Sequence, residues 1–488
     1  MNLRKGCWLN DALLAVGAFI FLATAVFFVG NAWVNADEGF YANACRLVFK
    51  GEMPYRDFGY TQTPVFPYIQ GLPLWLGDFT LAAQRWANLG WTVCVLALLG
   101  HRLRADAVSV HWQCAVLLLF ATSIPLVYFC TIGKTYALAQ LMLVLAGLGL
   151  WRNDCRLSLL QTAFFGTLAV GCRLPVLPAV TVLYIAAFLR GWRAGVGLPY
   201  LVLPPFLFGA LVFLPFALGD LQNFYFWTWG FHQLRTAPKR ALADVAGMVL
   251  LLAPGACALG GAALAYGGWR QRWDSGRWAY ASCLVAAVTG IVVNVVAGSF
   301  YAEYTVPFFA LLLLGSVGML SQRATRPAFV YSLGLLCSVC NYVAPAVDRS
   351  ERYLLRGAVS DLRAAGTFLR ENTSEGALII APMLEVTLEA GRETHPQLAM
   401  GLFTVTDEFS REDAKRLRMM NAEELLSIVE SGEAGALVFV LASNVNFVYS
   451  MPSTRFFPDA FNDRLIMAVG RGGYRMSYRN GMYAIFTR

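Results

Sequence analysis

Charge is scarce in this chain, and the little there is carries most of the information. Asp, Glu, Lys and Arg make up only 14% of the 488 residues, against 58% hydrophobic residues. With a mean hydropathy of +0.54, that balance excludes a water-solvated core for the first two-thirds and requires lipid as the solvent. Histidine is scarcer still, and its four positions show none of the spacing of a structural zinc site. Cysteine is present but absent where it would matter. All eleven lie between Cys7 and Cys340, mostly inside apolar stretches, so none is left to staple the C-terminal segment. They read as small apolar packing residues. A Cys130–Cys172 bridge has little in its favour, because sequence does not give their separation. Internal repeats are lacking too, which argues against the paired-half architecture of a secondary transporter.

What is present is a succession of apolar runs. A helix needs about 20 apolar residues to cross the hydrocarbon, and eleven candidate spans fall at 12–30, 81–100, 108–129, 132–150, 158–174, 175–189, 197–218, 245–266, 278–298, 305–320 and 328–346. The chain reads as an α-helical polytopic membrane protein over 1–346 with a soluble α/β domain over 347–488. Between 158 and 189, Arg173 and Pro175 leave little room for a turn, so that pair is expected to be tilted or partly re-entrant.

Lys and Arg are retained on the cytoplasmic side. Here they mark alternate connections: Arg4 and Lys5, Arg102 and Arg104, Arg152 and Arg156, Arg190 and Arg193, Arg270, Arg272 and Arg277, then Arg323 and Arg326. The N-terminus is therefore expected inside. The 31–80 loop, the 219–243 loop and everything after about 347 are expected outside. The net charge of +8 is then mostly a topological signal, not a nucleic-acid footprint. Val34-Asn35-Ala36 offers a cleavage point, but the run from Ala12 to Gly30 is long for a signal-peptide core, so a retained helix is the preferred reading. Cleavage would leave Asp37 as the new N-terminus.

The 31–80 loop holds the adjacent carboxylates Asp37 and Glu38. From Glu38 to Phe49, Phe40, Ala44, Leu47 and Val48 fall on one helical stripe, with Asn43, Arg46 and Lys50 on the other. This pattern suggests an interfacial amphipathic helix. Asp37 at its start reads equally as an N-cap, worth about 1 kcal/mol, or as a reacting group.

The segments Asp37-Glu38-Gly39-Phe40-Tyr41, Gly51-Glu52-Met53-Pro54-Tyr55-Arg56-Asp57-Phe58 and Tyr60-Thr61-Gln62-Thr63-Pro64 resemble the first outer loop of the GT-C glycosyltransferases. The likeness is to the polyprenyl-phosphate-sugar-dependent group that includes protein O-mannosyltransferases and aminoarabinose transferases. It is specific in this loop and weaker over the spans and tail. It implies an integral, inverting glycosyltransferase of the hexosyl or pentosyl type, in the bacterial inner membrane with a periplasmic C-terminal domain. It matches Asp37 to the acidic residue assigned as catalytic base. Some relatives carry Lys-Pro-Pro where this chain reads Gln62-Thr63-Pro64, so the donor phosphate must be held elsewhere.

Displacing a lipid phosphate from an anomeric carbon needs a base for the acceptor hydroxyl and a cation for the departing phosphate. Asp37 is the candidate base. Glu38 could orient it, bind sugar or help ligate a divalent cation, and two adjacent carboxylates leave metal dependence open. Arg56, Arg85 and Arg173 are the preferred phosphate clamps, because a guanidinium suits phosphate best. Lys134, Lys50 and Arg46 follow, and simple snorkelling is the plain alternative for each. Arg85, beside Gln84 and Asn88, reads as an inward-facing polar site, since charge inside a span costs roughly 2.5–3.5 kcal/mol at its centre. Tyr55, Tyr60 and Gln62 are candidate substrate contacts in the loop. The aromatic run Phe224–Phe231 reads as a membrane-interface belt or as a sugar-stacking wall, with His232 and Arg235 kept as site candidates. Glu303, in Ser299-Phe300-Tyr301-Ala302-Glu303-Tyr304, resembles the polar start of a late helix in related enzymes.

Beyond Pro345, helical periodicity runs from Arg352 to Arg370 and from Arg411 to Glu430. Ala377–Ala381 and Ala436–Val440 read as strands, and Asn480-Gly481 marks a hairpin. The expected partners are a polyprenyl-phosphate sugar and a lipid, glycan or protein acceptor, with no nucleic acid. The competing class is a transporter or flippase of lipid-linked sugars without transfer chemistry. Clustering of polar residues at one membrane face favours the enzyme.

Overall fold

The computed structural model describes residues 5–32, 34–234, 242–266, 274–297, 302–321, 336, 339, 358–381, 383–441 and 459–488. Helix α1 (Lys5–Asn31) leads into α2 (Ala36–Phe49) and α3 (Val65–Trp75), which fill the long loop. Then come α4 (Leu81–Ala105), α5 (Val110–Thr122), α6 (Ile124–Thr131), α7 (Tyr136–Leu148), α8 (Cys155–Cys172), α9 (Leu177–Arg193) and α10 (Leu198–Gly219). The short α11 (Leu221–Tyr225) and α12 (Phe231–Leu234) flank a π-helical turn, and α13 (Leu242–Leu252), α14 (Pro254–Tyr266), α15 (Ser275–Val296) and α16 (Phe309–Ser321) follow.

Among the described residues, six helices are long and apolar enough to cross a membrane, or eight if two bent pairs each count as one span. The pair α5–α6 bends by 75° and α13–α14 by 103°. Each break carries a proline, Pro125 or Pro254, whose missing N–H interrupts the helical ladder. Helices α4 and α7 were read as spans but do not meet that measure. Gln84, Arg85 and Asn88 at one end of α4, and the basic cluster at the other, dilute its apolar character, while α7 has only 13 residues. The eleventh expected span, 328–346, lies almost wholly outside the described residues.

Burial separates centre from rim. The stretch Glu303–Ser321 is 89% buried, whereas Leu198–Gly219 is 11% buried, so α16 is the axis of the bundle and α10 presents its surface to lipid. Small residues let α16 approach α15 closely. A Cβ on Gly315 would stand 2.5 Å from Leu284 N, and one on Gly318 would stand 2.0 Å from the Tyr280 ring. Between α8 and α9 the chain reverses within a few residues, through an extended Arg173 (φ −159°) and the 3-10 turn Leu174–Val176. The chain thus turns in the little room expected there, between two stretches each long and apolar enough to cross a membrane, and Arg173 at the turn is buried.

The C-terminal part is α/β. Helix α17 (Ala358–Asn372), α18 (Glu385–Glu389), α19 (Arg411–Arg416), α20 (Ala422–Ser431) and α21 (Asp459–Arg471) surround a sheet. Its strands are β1 (Ile379–Ile380), β4 (Ala436–Val440), β6 (Tyr483–Thr487) and β5 (Arg475–Arg479), in that order, and β2 (Val405–Thr406) pairs with β3 (Met420–Asn421) separately. The helices expected over Arg411–Glu430 form as α19 and α20, separated by the left-handed Arg418 (φ 60°) and by β3. The β5–β6 hairpin forms, but its turn is organised by the Asn480 side chain, whose Oδ1 accepts from Met482 N (2.9 Å) and Tyr483 N (2.8 Å).

This domain sits on α2. Asn43 Nδ2 donates to Ala399 O (2.9 Å), Arg46 Nη1 to Arg392 O (2.8 Å), and Lys50 pairs with Glu393. Asn43 and Arg46 of the polar stripe thus face protein while Lys50 stays exposed, and Phe40 and Ala44 of the apolar stripe are buried in the core, which corrects the expectation of an apolar face resting in the bilayer boundary. Trp227 corrects the belt reading in the same way. It is fully buried, its Nε1 donates to Leu417 O (2.9 Å), and its ring packs on Gly59, where a Cβ would stand 2.2 Å away. Trp229, half exposed, keeps the belt reading. Replacing Trp227 with Ala should cost about 3–5 kcal/mol, read as a lowered melting temperature with faster proteolysis of the C-terminal domain. Unchanged melting and cleavage would contradict this seating.

Candidate active site

The site is assembled from the first turn of α2 outward. Asn35, not Asp37, caps the helix: Asn35 Oδ1 accepts from Asp37 N (3.1 Å), and Glu38 Oε2 accepts from Asn35 N (3.0 Å) to close a capping box. The capping alternative for Asp37 is thereby removed, and its carboxylate is free to point elsewhere. Its Oδ2 meets Lys134 Nζ at 2.9 Å, and Lys134 also lies 3.6 Å from Glu303 Oε1.

Glu38 is fully buried and carries four hydrogen bonds. Arg85 donates from Nε to Oε1 (2.9 Å) and from Nη2 to Oε2 (2.8 Å), Gly133 N donates to Oε1 (2.6 Å), and Asn35 N supplies the fourth. Arg85 Nη1 reaches the carbonyls of Val29 and Ala32, each at 3.2 Å. The inward-facing reading of Arg85 is thus correct, but its partner is Glu38. Neither oxygen of Glu38 is left for a substrate.

The turn between α6 and α7 is held just as firmly. Gln84 Nε2 donates to Gly133 O (2.8 Å), and Asn88 Nδ2 donates to Ile132 O and to Lys134 O (2.9 Å). Only glycine fits at 133, because a Cβ would stand 2.3 Å from the Gln84 amide. One polar face of α4 therefore fixes both Glu38 and the backbone that presents Lys134.

Arg173 completes the cluster. Its Nη1 donates to Thr135 Oγ1 (2.9 Å) and its Nη2 to Tyr136 OH (3.4 Å), and its guanidinium stacks 4.4 Å from the ring centres of both Tyr136 and Tyr304. The side chain is 3% exposed, its Nε makes no hydrogen bond, and it forms no ion pair with a carboxylate among the described residues. Tyr41 lies beside Arg173, Asp37 and Lys134. The fold brings together Asp37, Lys134, Glu303 and Arg173. It adds Tyr41, Thr135, Tyr136 and Tyr304, which sequence reasoning did not nominate as site residues. Thr135 and Tyr136 were signalled only by the polar island Gly133-Lys134-Thr135-Tyr136 between two apolar runs, and Tyr41 and Tyr304 only by standing in the segments of Asp37 and Glu303.

Other candidates lie elsewhere or act through the backbone. Exposed Arg56 is paired with Asp57 (2.7 Å), whose carboxyl is held below its ordinary range by that hydrogen bond, and Lys50 is taken by Glu393. Tyr55, in a left-handed conformation (φ 71°), is buried and donates to Gln62 O (2.5 Å). His232 Nε2 lies 2.8 Å from Thr61 O. These contacts shape the loop. Tyr60 is buried with an unpartnered hydroxyl, and its ring lies 6.5 Å from that of Tyr41. Arg235 falls outside the described residues. Among the described residues, no three His, Cys, Asp or Glu side chains gather as metal ligands do.

No family model matches the chain, and no curated protein matches its sequence. Solved structures do. ArnT from Cupriavidus metallidurans bound to undecaprenyl phosphate superposes with a TM-score of 0.61 at 11% identity, covering 98% of this chain and 97% of that one. Its apo form gives 0.61 at 10%, over 99% and 98%. The fold is that of ArnT. The arabinofuranosyltransferase AftD from Mycobacteria gives 0.46 at 14% identity, over 98% of this chain and 40% of that one. The likeness to ArnT extends over the bundle and the C-terminal part alike.

Breaking the Glu38–Arg85 pair on one side should cost about 3–5 kcal/mol, because it strands a buried charge. Glu38→Gln and Arg85→Met should each lower the melting temperature sharply, and the double variant should lose less than their sum. Additive losses would show that the two groups do not depend on each other.

Proposed function

We propose that this protein is an inverting glycosyltransferase that moves a sugar from a polyprenyl-phosphate donor to an acceptor hydroxyl, with Asp37 as general base. The carrying observation is the Asp37–Lys134 pair at 2.9 Å beside a buried Arg173 without a carboxylate partner. Glu303 faces this guanidinium without forming an ion pair to it, and a phosphate would engage it directly with charge-assisted hydrogen bonds. The ArnT structure was solved with undecaprenyl phosphate, which supports this class of donor lipid.

In the resting site Lys134 neutralises Asp37. When the donor phosphate enters, Lys134 and Arg173 turn to it and Asp37 becomes available to the acceptor. The hydroxyl oxygen attacks the anomeric carbon from the face opposite the phosphate, and its proton passes to Asp37. The bond from carbon to phosphate oxygen breaks with its electron pair staying on the phosphate, where the two cations stabilise it. A single displacement of this kind inverts the anomeric centre. Glu38 and Arg85 act indirectly by fixing the first turn of α2. Tyr41, Tyr60, Tyr136 and Tyr304 wall the sugar, and Glu303 shares Lys134 in the absence of donor.

The alternating basic connections support a cytoplasmic N-terminus, with Asp37 and the C-terminal domain on the opposite, periplasmic side of a bacterial inner membrane. Lys134 and Arg173 give the leaving group protein-borne charge, and a divalent cation would add to it. The acceptor is a lipid, glycan or protein hydroxyl, and the sugar is a hexose or pentose.

With purified protein and a labelled polyprenyl-phosphate sugar, Asp37→Asn should lower turnover by roughly 10²–10⁴-fold while donor binding persists. Turnover equal to wild type would reject Asp37 as the base.

A further inference from the structure

Glu385 opens α18 in the C-terminal domain and is 1% exposed. Neither of its carboxyl oxygens makes a hydrogen bond, and the hydroxyl of nearby Tyr483 is likewise buried and unpartnered. The group lies directly against the helix that carries Asp37. A Cβ on Gly39 would stand 2.7 Å from Glu385 N and 2.8 Å from its carboxyl carbon and Oε2. The absent side chain at Gly39 is what permits this approach, and it gives the glycine of Asp37-Glu38-Gly39 a physical reason.

The charges facing Glu385 leave an anion there no partner. Asp37 and Glu38 face it from α2, and Tyr483 faces it from β6 and in turn faces Arg85 of α4 and Asp361 of α17. Asp37 is matched by Lys134 and Glu38 by Arg85, so a third carboxylate would be surplus. Burial pushes the Glu385 carboxyl up to about 8. The amides of Glu385 and Gly39 soften that rise without aligning for a hydrogen bond, and Glu38 and Asp37 add to it.

We propose that Glu385 is a positioning residue which, as a neutral carboxylic acid, seats the C-terminal domain on the Asp37-bearing helix, so that this seating depends on a proton. The sign is opposite to that of an ordinary paired carboxylate. Released to water, Glu385 titrates near its ordinary 4.5, and seated it titrates near 8. Between those values the seated form holds one proton more, so seating weakens as pH rises, by up to about tenfold per pH unit, and levels off above about 8. The stabilisation is complete below the lower value.

The consequence for turnover rests on the transferase reading, whereas the consequence for stability does not. The full-length protein and Glu385→Gln, an isostere of the neutral acid, should be melted from pH 5 to pH 9 and assayed for sugar transfer over the same range. Hydrogen exchange of residues 36–49 reports seating directly. Wild type should lose melting temperature and protection of 36–49 relative to Glu385→Gln as pH rises to about 8. Its turnover should fall by about tenfold or more relative to the variant. Equal slopes of melting and exchange in the two proteins would overturn the proposal. A divergence in melting and exchange, with no transfer by either protein at any pH, would uphold the role of Glu385 and overturn the transferase reading instead.

Discussion

The buried pair of Glu38 and Arg85 is the constraint on which the rest of the site depends. Two charges withdrawn from water repay their desolvation only if every remaining donor and acceptor is also satisfied, and here they are nearly all used. Arg85 gathers carbonyls at the end of α1, while Glu38 gathers the cap of α2 and the amide of Gly133. The junction of α1 with α2 and the distant turn at Gly133 are thereby fixed to one point on α4. A carboxylate one residue away, Asp37, is left outside this network and aimed at a lysine whose backbone the same network holds. Adjacent acids thus have different tasks, decided by which one the capping geometry consumes.

That division explains how a mobile-looking loop becomes a defined surface. Residues 31–80 are long for a connection, yet α2 and α3 organise them, the C-terminal domain covers α2, and Trp227 closes on Gly59. The polar groups of α2 that would otherwise meet lipid headgroups bond to Ala399 and Arg392 instead. Burial of this surface is therefore a joint product of bundle and domain, and Arg173 and Lys134 are buried within it.

The parts legible in the sequence are those set by local pattern. Apolar length marked most of the helices of the bundle, and β-rich runs marked β4, β5 and β6. Asp37, Arg173, Lys134 and Glu303 were legible as charged groups at the ends of apolar runs. The pairing of Arg85 with Glu38 was not legible, because it links positions 47 residues apart through a fold that one sequence does not display. Nor was the burial of α2: its amphipathic period fits a membrane surface and a protein interface equally well. Lys50 and Arg56 had the right chemistry in the right loop, but Glu393 and Asp57 hold them. Tyr136 and Tyr304 gain their place only from the fold, which sets both rings 4.4 Å from one guanidinium.

The central claim is that donor phosphate is held by the buried cations Lys134 and Arg173, with the exposed loop cations uninvolved. Direct binding of a polyprenyl phosphate to the purified protein, compared among Arg173→Met, Lys134→Met and Arg56→Met, tests it most directly. The account predicts affinity lowered by about tenfold or more in the first two and unchanged in the third. Binding abolished by Arg56→Met and untouched by Arg173→Met would contradict it.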